Sequence, residues 1–219
     1  MTVDFVRPGA DLSAYRLVVA PVLFAADAAA LDGLHAFAAS GGALAVTFQS
    51  GVLDESLHVH PSGYLGPLAT TLGVRVEEFA PLAGPPGAEP PDIPVDGELG
   101  PLTGRLWSEY THADGADVLA TFAAGDVAGW PAVTRNSVGS GSAWYVATHP
   151  DAAGLGRVAG ALLDAAGVGG VLDRSADGVE AIVRGDATFL LNHRGDDRRV
   201  VWRGEELVLG PREARIVRQ

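Results

Sequence analysis

Leu17-Val18-Val19-Ala20-Pro21, the alanine-rich stretch opened by Asp27, and Gly41-Gly42-Ala43-Leu44-Ala45-Val46-Thr47-Phe48 decide the fold. The first four residues are an unbroken apolar run stopped by proline, the pattern of a strand buried on both faces. Asp27 is placed to cap a helix continuing to about Ser40, with Leu31, Leu34 and Phe37/Ala38 on one face. Gly41-Gly42 ends that helix, because glycine enters the left-handed C-cap conformation without a Cβ penalty. Residues 43–48 are then a second buried strand. Strand, helix and strand on short links form a βαβ unit, which implies a parallel sheet.

Working outward, residues 3–6 read as a short strand before a Pro8-Gly9 loop. Residues 49–66 form a polar loop past a strand's carboxyl end, where open α/β sheets place ligand or partner sites. A short helix over 65–72 leads to a strand at 74–79. Seven of the fourteen prolines fall in 80–103, so that stretch reads as an irregular excursion. Strands follow at 107–112, 118–122, 132–136 and 143–148, the last two joined as a hairpin by Gly139-Ser140-Gly141. Asp151 caps a helix to about Ala166. Beyond Gly178 come five short strands at 179–183, 188–192, 199–202, 206–209 and 214–217, separated by Gly/Asp turns. The expected organisation is an α/β domain with a mostly parallel sheet at 1–172 and a small antiparallel β domain at 176–219. The small domain is near the limit of independent stability, so it is expected to lean on the larger one.

A net charge of −12 and the lack of any Lys/Arg run beyond Arg198-Arg199 argue against nucleic acid or an anionic membrane as partner. With no cysteine, disulfides, thiolate zinc sites and iron–sulfur clusters are excluded together. No apolar run nears the ~20 residues of a membrane helix. The first ten residues, with Asp4, Arg7 and Pro8, do not resemble a secretory leader. The expected location is the cytoplasm, and no cofactor is expected.

The candidate contact residues lie mainly on the loop 49–64, which combines Gln49, Asp54, Glu55, His58, His60 and Tyr64. His58 and His60 flank Val59, so on a strand they would share a side and could meet a metal with Asp54 or Glu55. The loop supplies no well-spaced third ligand, and contact with a partner is the favoured reading. Trp130, beside Gly129 and Pro131, joins the candidates because aromatics are enriched at interfaces. Trp107 and Trp144 lie in apolar strands and read as core. Ser50 follows a strand, but Phe48-Gln49-Ser50-Gly51 is not the G-x-S-x-G elbow, so it reads as a loop hydrogen-bonder. Asp151 reads as a helix N-cap and His149 as a strand-end residue.

His149-Pro150-Asp151, ending an apolar strand, resembles the His-Pro-Glu end of class I glutamine amidotransferases. There the His and the acid activate a cysteine thiolate, a step this cysteine-free chain does not perform. Further segments occur in one order along the chain. Val3-Asp4-Phe5-Val6-Arg7-Pro8 precedes Asp11-Leu12-Ser13-Ala14-Tyr15-Arg16-Leu17. Thr47-Phe48-Gln49-Ser50-Gly51-Val52-Leu53-Asp54-Glu55, Gly73-Val74-Arg75-Val76, Ala132-Val133-Thr134-Arg135-Asn136 and Phe189-Leu190-Leu191-Asn192-His193 follow. Together they resemble the C-terminal part of glycoside hydrolase family 42 β-galactosidases. The resemblance implies a trimerisation domain of amidotransferase-like (flavodoxin-like) fold, then a small all-β domain. It implies a homotrimeric parent with an N-terminal (β/α)8 barrel that carries the catalytic glutamates, and no catalytic residue here. Since the barrel alone takes ~250 residues, and the family's domain opens with a strand and helix before the segment matching 3–6, the chain is expected to be a fragment. Two alternatives remain: a stand-alone amidotransferase-like hydrolase using Ser50 and His149, and a carbohydrate-binding module relying on Trp130.

Overall fold

The computed structural model describes residues 3–218. They divide into two compact units, 7–167 and 168–218, the second also taking in 3–6.

The first unit is built on an eight-stranded sheet. Its elements are β1 (Leu17–Ala20), α1 (Ala28–Ala39), β2 (Ala43–Thr47), α2 (Leu68–Leu72), β3 (Val74–Phe79), β4 (Ile93–Gly97), β5 (Leu102–Arg105), β6 (Glu109–Ala113), β7 (Asp117–Phe122), β8 (Pro131–Val138), β9 (Gly141–Val146), β10 (His149–Pro150) and α3 (Ala152–Ala165). The sheet runs β1-β2-β9-β8-β7-β4-β5-β10, while β3 and β6 pair separately.

The βαβ unit is present as read. Asp27 caps α1 by accepting from the Ala30 N–H at 2.7 Å, and Ala30, Leu31, Leu34, Phe37 and Ala38 are its buried residues. Glycine is required at position 42, where a Cβ would lie 2.3 Å from the Phe37 ring. Asp151 caps α3 through the Gly154 N–H, and Gly139-Ser140 turns the β8 to β9 hairpin.

Parallel pairing is confined to β1 with β2 and β2 with β9; every other neighbour in the sheet is antiparallel. The α/β organisation is therefore there, with a smaller parallel share than the sequence led us to expect. The crossover helix α1 supplies the β1 to β2 connection that short turns cannot make, while β2 reaches β9 through the intervening stretch from α2 to β8. β1 is also not buried on both faces. It is an edge strand with Val19 52% exposed, and β2, flanked on both sides, is the buried one.

The excursion 80–103 contains β4 and the start of β5. Pro94 is accommodated because it opposes Thr103 of β5, while pairing with β7 begins one residue later at Val95. The Pro94 carbonyl still accepts from the Ala123 N–H at 2.8 Å. Only the donor is lost, and no ladder bond to β7 needs it at that position.

Alternate residues of the central strands feed two cores. Leu44, Val46, Ala143 and Tyr145 join Leu31, Leu34, Phe37, Leu68 and Leu72 on one face. Ala45, Trp144 and Val146 join Val95, Phe122, Val133, Val158 and Leu162 on the other. Three layers follow directly from the two-residue period of a strand.

The second unit holds β11 (Val179–Arg184), β12 (Ala187–Asn192), β13 (Arg198–Trp202), β14 (Glu205–Leu209) and β15 (Ala214–Arg218). They form an antiparallel sheet β11-β12-β15 and a hairpin of β13 and β14 around Leu190, Val200 and Leu209. Asn192 ties this unit's loops together, its amide donating to the carbonyls of Asp196 and Gly210. Residues 3–6, read as a strand, have no regular structure, and Val3, Phe5 and Val6 are exposed.

Candidate functional site

Past the carboxyl ends of β1 and β2 the chain makes two loops, 21–26 and 49–66, and the backbone laces them together. The Gly51, Val52 and Leu53 N–H groups donate to carbonyls of Leu23 and Phe24, and Ala26 N–H donates back to Leu53. Leu53 bridges Ala25 on one side and Val59 on the other. Side chains close the remaining gaps: Thr47 Oγ1 accepts from Val22 N–H at 2.8 Å and Ser50 Oγ from Leu23 N–H at 3.0 Å.

This platform turns apolar side chains outward. Phe24 is 43% exposed, Leu57 69% and Val59 58%, and Val22 is exposed as well. Val22, Gln49, Leu57, Leu65 and Leu106 all take positive φ, between 48° and 71°. A β-branched valine in the left-handed region is an outlier, and each such residue costs about 1–3 kcal/mol. Strain of this kind persists only where surrounding bonds over-determine the backbone, and it gathers at functional surfaces.

One buried group supports the platform from below. Glu109, at the start of β6, is fully buried. Its Oε1 accepts from Trp107 Nε1–H at 3.0 Å and from Gln49 N–H at 3.3 Å, and its Oε2 accepts from the Tyr145 hydroxyl at 2.5 Å. Burial pushes the Glu109 carboxyl above its ordinary value, against the pull of these three donors. Burial, then the adjacent carboxylate, drives the Tyr145 hydroxyl far higher than a free tyrosine. Trp107 continues into a chain of rings: it lies 6.0 Å from Phe48 and 5.3 Å from Phe79, and Phe79 stacks on Tyr64 at 4.2 Å. All four rings are half-buried. Trp107, read as a core strand residue, precedes β6 in a turn, whereas Trp144 is core.

The remaining candidates can be placed individually. Asp54 Oδ1 accepts from the Ser56 and His58 N–H groups, an Asx turn that closes the loop tip, and the His58 bond is the main cause lowering its pKa. Glu55 and His58 are exposed at that tip. The His60 ring lies where a Cβ at Gly66 would be only 2.7 Å away, which requires glycine there, and its Nε2 is buried without a partner. Among the described residues no group of three or more His, Asp or Glu side chains is placed to hold a metal ion.

Trp130 belongs to a different cluster, edge-on to Tyr110 at 5.2 Å and to His112 at 4.8 Å, with His112 bonded to Glu77 at 2.6 Å. Ser50 is buried, its oxygen accepts from Leu23 N–H, and no hydrogen bond joins it to His149 among the described residues. His149 is exposed on β10, opposite Arg105. Ser50 and His149 therefore do not form a hydrogen-bonded nucleophile–base pair among the described residues.

Comparison with known proteins gives a consistent result. A family model described as the β-galactosidase trimerisation domain matches residues 1–169. The β-galactosidase BgaB of Geobacillus sp. (strain Y412MC61) is 43% identical over 164 residues, covering 72% of this chain and 23% of that protein. A β-galactosidase of Arthrobacter sp. is 36% identical over 217 residues, covering 97% of this chain and 30% of that protein. The crystal structure of the cold-adapted β-galactosidase from Rahnella sp. R3 superposes with a TM-score of 0.90 at 29% identity, over 100% of this chain and 34% of that one. The chain spans 23% to 34% of the length of these relatives.

Proposed function

Because this chain belongs to the β-galactosidase trimerisation-domain family, we propose that its task is assembly, holding the copies of a glycoside hydrolase family 42 β-galactosidase together as a homotrimer. The observation that carries the reading is the laced platform of loops 21–26 and 49–66, which presents Val22, Phe24, Leu57 and Val59 to solvent on a strained backbone. Exposing apolar side chains costs solvation, and outward-facing apolar groups of this kind are recovered when a partner covers them.

In this reading Gln49, Asp54, Glu55, His58, His60 and Tyr64 contact a neighbouring subunit or wall the cleft of its (β/α)8 barrel. Trp130, on its own cluster, offers a second contact. His149 and Asp151 are remnants of amidotransferase ancestry. The longer enzyme hydrolyses terminal β-galactosides by the retaining route, through a nucleophilic carboxylate and an acid/base carboxylate, both supplied by the barrel. This chain alone is then without glycosidase activity. Its partners are other copies of itself and that barrel, and its location is the cytoplasm. No nucleic acid, membrane or cofactor enters the proposal. No helix among the described residues is long and apolar enough to cross a membrane.

The test is light scattering after size exclusion over a concentration series of the 219-residue chain. A trimer that dissociates on dilution is the expected result. A monomer at every concentration would contradict self-assembly by these residues.

A further inference from the structure

Among the described residues, Glu109 is the one buried acid, and neither the family resemblance nor the platform's surface accounts for it. It reaches three parts of the chain distant in sequence. Tyr145 comes from the central strand β9, Gln49 from the turn after β2, and Trp107 from the turn before β6. One of these donors, Gln49, itself has left-handed backbone, with φ 55°, and a second, Trp107, directly follows a left-handed residue, Leu106, with φ 63°. Both turns are non-glycine and need outside bonds to persist. The carboxyl supplies such a bond to each, through the same oxygen.

The neighbouring bonds have the same effect. The Trp107 carbonyl accepts from Thr148 Oγ1 at 2.6 Å, and Ser108 Oγ donates to the Ala80 carbonyl at 2.5 Å. The ring of Trp107 in turn contacts Phe48 and Phe79, and Phe79 stacks on Tyr64 of the loop. A buried carboxyl is costly to keep unless its acceptor capacity is used, and here three neutral donors use it.

We infer that Glu109 is a positioning residue of the assembly surface: its carboxyl, fixed by Tyr145, sets the Gln49 and Trp107 turns and through them the conformation of the loop 49–66. The geometry is independent of the assembly reading; the consequence for association rests on it.

The experiment is hydrogen exchange by mass spectrometry on the 219-residue chain, run beside sedimentation. Glu109→Leu keeps the bulk and removes the acceptor. Glu109→Gln keeps an acceptor oxygen for the Gln49 and Trp107 donors. With α1 and the β8 to β9 hairpin still protected, Glu109→Leu should speed exchange over 49–60 by about tenfold or more, and Glu109→Gln should restore protection.

A folded Glu109→Leu with an unchanged loop would overturn the inference, as would a Glu109→Gln as loose as Glu109→Leu. Should Glu109→Leu not fold, the Gln49 amide of the unsubstituted chain decides. Protection there supports the anchor, and exchange at the free rate overturns it. Sedimentation separates the two readings. An unsubstituted chain that never associates, while Glu109→Leu still loosens the loop, removes the assembly reading and leaves the anchor standing. Undiminished association by a loosened Glu109→Leu removes the link between them.

Discussion

Within β2 and β9, Leu44, Val46, Tyr145 and Val146 are buried, and the one polar tip among them, the Tyr145 hydroxyl, is bonded to Glu109. Just beyond the same strand β2, Phe48 and Gln49 are half-buried, and Leu57 and Val59 further along face solvent. The strands have ordinary extended backbone, whereas the rim concentrates positive φ at non-glycine residues. The sheet centre is arranged for stability and the rim is not. A rim that keeps apolar side chains outward and tolerates strain is what a surface waiting for a partner requires.

Substitutions should therefore separate the two regions. At the centre, Leu44→Ala removes a fully buried side chain and should cost about 2–5 kcal/mol in denaturant unfolding. Association should fall with it, because the fold falls first. A loss below 1 kcal/mol would mean that the centre is not the tight region described.

Acid provides the second separation. The folded-state pKa of Glu109 lies above its ordinary 4.5. The stability this group contributes is therefore fully present below about 4.5 and is lost as pH rises through the folded value. Glu109→Gln stays neutral. The unfolding free energy of the unsubstituted chain minus that of Glu109→Gln should decline as pH climbs through this window. A flat or rising difference would show that the anchoring bonds outweigh burial. Asp54, with its pKa lowered by the His58 backbone bond, acts in the opposite sense and cancels in the comparison.

Helix capping belongs to the centre as well. Asp27→Ala should cost about 1 kcal/mol in thermal or denaturant unfolding and leave the rim's exchange unchanged. The smallest effect on stability is expected at the rim. Phe24→Ser with Val59→Ser should move unfolding by no more than about 0.5 kcal/mol per site, while association weakens strongly. If the double substitution destabilises the monomer as much as Leu44→Ala does, the contrast between centre and rim is wrong.

Much of the centre was legible in the sequence, because periodicity reports burial when the buried face is apolar. Asp27, the α1 face and the Gly139-Ser140 hairpin were read from single residues with a clear physical role. All five strands of the second unit were legible for the same reason. The strand β4 was not, since Pro94 and its proline neighbours read as a break, although proline forbids only the donor it lacks. The burial of β1 was overestimated because an apolar run does not say whether a further strand lies beside it.

Glu109 was not legible at all. In Trp107-Ser108-Glu109-Tyr110-Thr111-His112 the buried residues are Ser108, Glu109 and Thr111, and the half-exposed ones are Trp107, Tyr110 and His112. That order inverts the usual relation between polarity and burial; tertiary partners account for Ser108, through the Ala80 carbonyl, and for Glu109, through Tyr145, whereas the Thr111 hydroxyl is buried without one. The rim's candidate residues were legible as a loop past a strand end. Which of them face outward depended on the lacing of two loops distant in sequence.

The most direct test of the central claim is sedimentation velocity on the 219-residue chain beside its Phe24→Asp, Val59→Asp form, over a hundredfold range of concentration. The expected result is reversible trimer formation by the unsubstituted chain and a folded monomer for the substituted one, because two desolvated carboxylates cannot be covered by an apolar contact. Undiminished assembly by the substituted chain, or none by either, would contradict the account.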